Sequence, residues 1–160
     1  MVKEKRNKGF TLGELIVAIV VSSIVLTLIS YFVVKFINLS EEVKSQRKMT
    51  YEQNVVTKFF DDFVNNVNLN GYVVNVNYAN NIIYYQYEMM ENQLINRIII
   101  DNESKTLKYN DKIILEFSSI KQININKSND FSNIFSVEII FNNDTTYVFS
   151  KYIVNSIREE

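Results

Sequence analysis

The sequence predicts an α+β protein: one long N-terminal α-helix, with a membrane half and an amphipathic half, packed on an antiparallel β-meander head. Three observations predict it. Leu15 to Val34 is a run of 20 residues without one charge. Beyond it, apolar residues recur at intervals of three and four as far as Val67, the repeat of a helix with one buried face. After Gly71 the chain falls into short alternating stretches separated by Asn- and Asp-rich breaks, the pattern of half-buried strands joined by tight turns.

The apolar run comes first. As a helix rising about 1.5 Å per residue, a stretch of this length spans roughly 30 Å, the thickness of a bilayer core. Its polar groups are the hydroxyls of Ser22, Ser23, Thr27, Ser30 and Tyr31, and Ser and Thr hydroxyls bond back to helix carbonyls. Before it, Lys3, Lys5, Arg6 and Lys8 stand against Glu4. Such a basic flank stays in the cytoplasm, which places the C-terminal part outside. A secretory signal peptide fits less well, because its apolar core is roughly 7–15 residues long and ends in a small-residue cleavage site. On hydropathy alone the plain reading is an uncleaved membrane anchor.

The helix is expected to continue, since neither proline nor glycine follows Val34 until Gly71. Phe36, Leu39 and Val43, then Val56, Phe59 or Phe60, Phe63 and Val67, keep the helical spacing, with Glu41, Glu42, Lys44, Arg47, Lys48, Glu52 and Lys58 between them. One helix from about Phe10 to about Val67 follows, roughly 58 residues and about 87 Å long. Asn65 to Gly71 ends it, with Gly71 the stop signal. The strands then run Tyr72–Tyr78, Ile82–Met89, Leu94–Ile100, Thr106–Tyr109, Ile113–Phe117, Ile120–Ile125, Ile134–Phe141 and Thr145–Val154. The expected organisation is 1–9 a basic leader, 10–37 the membrane half of the helix, 38–68 its amphipathic half and 71–156 the β head, one face of which buries against the helix.

Composition excludes several function classes. The chain has no Cys and no His. Disulfides, thiolate metal sites, the commonest general base and the commonest zinc ligand are therefore absent. A net charge of −1 gives no argument for nucleic acid. The 22 asparagines read as turn formers and compositional bias. Asp61 and Asp62 are adjacent on the helix and do not face each other, so a solvated face is expected. The acidic residues Asp101, Glu103, Asp111, Asp130 and Asp144 lie in separate turns without calcium-loop spacing. Arg97 is expected in a salt bridge or facing solvent, and Tyr85 and Tyr87 in strand packing. No catalytic residue, metal site or cofactor is expected.

The start of the apolar run reads Lys8-Gly9-Phe10-Thr11-Leu12-Gly13-Glu14. Here the sequence resembles the type IV prepilin family. The resemblance implies that a dedicated membrane peptidase cuts after Gly9 and N-methylates Phe10, and that Glu14 is the fifth-position carboxylate that pairs with the N-terminal amine of a neighbouring subunit during filament assembly. Gly13 departs mildly from the family pattern, which more often has a bulky apolar or a small residue there. Independent chemistry suits these residue types. Gly9 lets a protease approach the backbone, and a carboxylate in the first helical turns meets the positive end of the helix dipole. The implied partners are other pilin or pseudopilin subunits, the prepilin peptidase/N-methyltransferase, an assembly platform with its motor ATPase, and membrane lipid before assembly. The implied location is a single-pass membrane protein, N-terminus cytoplasmic and head extracellular, then an extracellular filament. The Phe59-Phe60-Asp61-Asp62-Phe63 segment with Leu94, Arg97 and Leu107 is similar to J-type minor pseudopilins of type II secretion, W-type minor pilins and competence pseudopilins, and this favours a minor subunit. The competing function is an uncleaved single-pass membrane protein whose outer β domain senses or binds a ligand; a membrane-anchored enzyme is disfavoured by the missing His and Cys.

Overall fold

The structure, a computed structural model, describes residues 11–87, 95–128, 131–155 and 157–159. The leader with Gly9, together with Phe10, Leu94 and the turns at Glu91-Asn92 and Asn129-Asp130, lies outside the described residues, as does the Tyr87 side chain. Helix α1 runs Leu12–Asn70. Nine strands follow: β1 Tyr72–Asn77, β2 Ile82–Tyr87, β3 Asn96–Asp101, β4 Thr106–Tyr109, β5 Lys112–Glu116, β6 Ile120–Lys127, β7 Ile134–Phe141, β8 Thr146–Tyr152 and β9 Ile157–Glu159. The architecture is α+β, as the sequence predicts. The chain forms two units, the first ending at Lys44 and the second beginning at Ser45.

In the first unit every residue from Thr11 to Leu39 is exposed. The hydroxyls expected to turn back do so: Ser23, Thr27 and Ser30 donate to the carbonyls of Val20, Ser23 and Leu26 at 2.7, 2.8 and 2.8 Å. The apolar run thus presents hydrocarbon on all sides with these three hydroxyls satisfied, as a membrane-spanning helix requires. Phe36, Leu39 and Val43 are also exposed, so the buried stripe of α1 begins later than the spacing alone implies.

In the second unit that stripe is Glu52, Val56, Phe60, Phe63, Val64 and Val67. Phe60 is its centre: its ring lies 6.1 Å from Phe135 and 6.0 Å from Phe149. The strands make two sheets where a single meander is the simplest reading. One has the order β5-β4-β3-β2-β1-β9, the other β6-β7-β8. Neighbours are antiparallel except β9, which pairs parallel with β1. That three-residue strand is too short and too charged to show a sequence period. Strand β7 alternates strictly, burying Phe135, Val137, Ile139 and Phe141. The turns follow their chemistry. Asn110 and Asp111 both have positive φ, 46° and 67°, which makes the two-residue β4–β5 hairpin loop a type I′ turn. Gly71, at φ 68°, ends α1 in the left-handed conformation that glycine adopts without a Cβ penalty.

Asparagines join the two sheets. The amide of Asn102, in the β3–β4 turn, bonds both backbone groups of Ile123 at 2.9 Å, and Asn81 Oδ1 accepts from the Ile125 amide at 2.8 Å. Both act on the outer edge of β6, where backbone groups have no strand partner. Asn68 of α1 likewise accepts from the Val154 N–H and donates to the Tyr152 carbonyl at 2.9 and 3.1 Å. A free strand edge is a row of unsatisfied groups and an invitation to aggregate, and here side-chain amides replace the missing backbone. These residues are therefore more than turn formers.

Two polar helix residues depart from expectation. Glu52, placed by spacing among the solvated residues, is 1% exposed. Its carboxylate accepts the N–H groups of Ser118, Ser119 and Ile120 at 3.0, 2.9 and 3.2 Å, with the Ser118 hydroxyl at 3.4 Å. These residues lie where the chain leaves the larger sheet and starts the smaller. Successive N–H groups aimed at one point bind an anion well, and that is why a carboxylate is tolerated in the core. Asp61, expected on a solvated face, bonds the largely buried Lys151 ammonium; Asp62 is exposed as expected.

Candidate functional site

The predicted site sits at the start of α1. Thr11 precedes the first helical residue, and its carbonyl accepts from the Leu15 N–H at 3.2 Å. The Glu14 N–H donates to the Thr11 hydroxyl oxygen at 3.3 Å, while the Thr11 N–H and hydroxyl donate to Glu14 Oε2 at 2.9 and 3.0 Å. This reciprocal arrangement is a capping box, which satisfies helix-terminal donors that otherwise lack partners. Sequence reasoning quoted Thr11 only as part of a motif and missed this role. The signal was present as Thr-x-x-Glu directly before an apolar run.

Both bonds from Thr11 reach the same oxygen, Oε2. Among the described residues Oε1 has no donor. Gly13 remains helical, and a Cβ there would meet nothing within 4 Å; the missing side chain reflects no crowding within the chain itself. Thr11, Gly13, Glu14, Val17, Ala18 and Val21 border an open recess on the helix surface. The arrangement holds an acceptor in place at the mouth of an apolar segment. Among the described residues no group of three or more acidic side chains gathers as metal ligands.

Residues 5–30 match the family described as the prokaryotic N-terminal methylation motif. The chain carries a type IV prepilin leader. Its apolar N-terminal helix is long and apolar enough to cross a bilayer, which together with this leader fits a membrane-anchored protein. The motif implies processing by a prepilin peptidase and assembly with other pilin subunits. Comparison with curated proteins and with solved structures gives no match, so the β unit is understood from its own residues.

Among the other residues singled out by sequence, Arg97 pairs with Asp111 at 2.5 Å on an exposed surface. Tyr85 is buried and packs its ring 5.2 Å from Phe63, which is ordinary core packing. Its hydroxyl donates to Tyr109 at 2.9 Å. Burial first, then this hydrogen bond, pushes the Tyr85 phenol well above its usual range.

Proposed function

We propose that this pilin-like chain is a structural subunit, of the minor kind, in a type IV pilus-like or type II secretion-like filament, and that it has no catalysis of its own. The supporting observation is the Glu14 carboxylate held by Thr11 with no donor on Oε1 among the described residues, at the head of a helix exposed along its whole apolar length. Cleavage after Gly9 creates an amine on Phe10, which is then N-methylated. The Oε1 oxygen of Glu14 in one subunit accepts that ammonium from another. A charge-assisted bond of this kind is worth most where water is scarce, as in a filament core of packed apolar helices. Removal of the basic leader also frees the tip from the cytoplasmic face, so that a motor ATPase acting through an assembly platform draws the helix out of lipid. The β unit then lies outside the cell.

Mass spectrometry of the mature N-terminus tests the reading. A chain beginning at methylated Phe10 is expected; an intact Met1 supports the uncleaved anchor instead. Glu14→Ala is expected to insert and be cleaved but to enter filaments poorly, and normal incorporation refutes the pairing. Gly9→Val is expected to accumulate as uncut precursor, and full processing would place the cut elsewhere.

A further inference from the structure

A second feature lies in the unit that begins at Ser45. Between α1 and the strands β2, β3 and β4 is a cleft of about 210 Å³. Its walls are aromatic: Phe59 and Phe63 from the helix, Tyr85 and Tyr109 from the sheet, over a floor of Ile98. Tyr85 and Tyr109 are stacked within 17° of parallel with centroids 6.5 Å apart, and Phe63 meets Tyr85 edge-on at 5.2 Å. The polar side chains at its border are Asp62 and Asn66.

We propose that this cleft binds a small organic cation carrying an alkylammonium group. The lining is mainly aromatic, and aromatic rings attract soft, weakly hydrated cations. Asp62 supplies the counter-charge. Its neighbour Asp61 is engaged by Lys151, whereas Asp62 has no ion pair or hydrogen bond among the described residues, not even with Lys58 one turn earlier on α1. The lining includes no basic side chain, so an anion has nothing to pair with. The two phenol protons are already committed, Tyr85 to Tyr109 at 2.9 Å and Tyr109 to Asn96 at 3.2 Å, which leaves no hydroxyl donor aimed inward. A hard metal ion wants several oxygen ligands, and one carboxylate with one amide falls short. Rings plus a single free carboxylate select an organic ammonium.

Choline chloride is the probe, tested on the full-length chain in maltoside micelles, whose headgroup lacks choline, at matched ionic strength. Ligand-observed NMR saturation transfer with titration is the readout, and uncharged 3,3-dimethylbutan-1-ol, of the same shape, is the control. Choline should bind saturably and about fivefold to tenfold more tightly than the alcohol, the discrimination that cation–π and carboxylate contacts supply. Asp62→Asn, on an exposed side chain, should weaken choline about tenfold and leave the alcohol unchanged. Phe59→Leu should weaken choline while the far-UV spectrum stays native. Equal affinity for choline and the alcohol, an unchanged affinity in Asp62→Asn, or no saturable binding up to about 50 mM choline overturns the proposal.

Discussion

Replacing Glu52 with alanine should destabilise the unit beginning at Ser45 by about 3–5 kcal/mol, and the structure says why. The carboxylate is 1% exposed and holds three backbone N–H groups at 2.9 to 3.2 Å. Without the side chain these donors lose their charged acceptor, and each lost bond costs about 1 kcal/mol or more, giving about 3 kcal/mol. The lost stem of the side chain adds about 1–2 kcal/mol of apolar burial. Against a total stability of about 5–15 kcal/mol for a domain this is a large fraction, equivalent to a fall in melting temperature on the order of 10–20 °C. Glu52→Gln keeps one carbonyl oxygen but turns an NH₂ toward N–H donors, and should lose about half as much. Urea unfolding of the full chain in micelles, followed by tyrosine near-UV circular dichroism, measures the change; Glu41→Ala, on an exposed residue, is the control. Amide exchange at Ser118, Ser119 and Ile120 should accelerate in the same variant. A Glu52→Ala protein within about 0.5 kcal/mol of the parent, or with unchanged exchange at those amides, refutes the assignment of the carboxylate as the anchor of the inter-sheet crossover.

Three further outcomes are expected. Asn102→Ala strips both hydrogen bonds from Ile123 on the β6 edge and should cost about 1–2 kcal/mol, seen as faster exchange of the Ile123 amide. The Asp101 carboxyl is held below the usual carboxylate range by hydrogen bonds from Ser104, side chain first, then backbone. Its folded pKa is depressed, so its stabilising effect is present above the ordinary carboxylate pKa and disappears as pH falls through the folded value; acid titration of stability should show the difference between parent and Asp101→Asn shrinking toward zero at low pH. Gly71→Ala meets no steric obstacle within 4 Å but forces a Cβ into φ 68°, and should cost about 1–2 kcal/mol in a thermal melt.

The helix and most strands were legible because each rests on a local period. The apolar run, the 3.6-residue stripe from Val56 to Val67 and the alternation of β7 are properties of neighbouring residues. The stripe also carried the clue to Glu52, which sits four residues before Val56 on the same face, although a charge there reads as solvent-facing until its partners are known. Those partners are 66 to 68 residues away in sequence, so no local pattern contains them. The Thr11–Glu14 box is the opposite case: it is wholly local, so its three-residue spacing lies in the sequence, although the motif reading passed over it.

By itself the sequence determined the α+β class, the membrane-length segment, the prepilin leader and the turn positions among the described residues, because each depends on residues within a few positions of one another. Tertiary structure alone decided that the strands split into two sheets, that a short ninth strand joins β1 in parallel, and that asparagine amides close the free edge of β6. It also decided which of two adjacent aspartates pairs with Lys151 and which borders an aromatic cleft. These outcomes depend on which distant backbone donors and charges come within hydrogen-bond reach, and reach is a property of the folded chain.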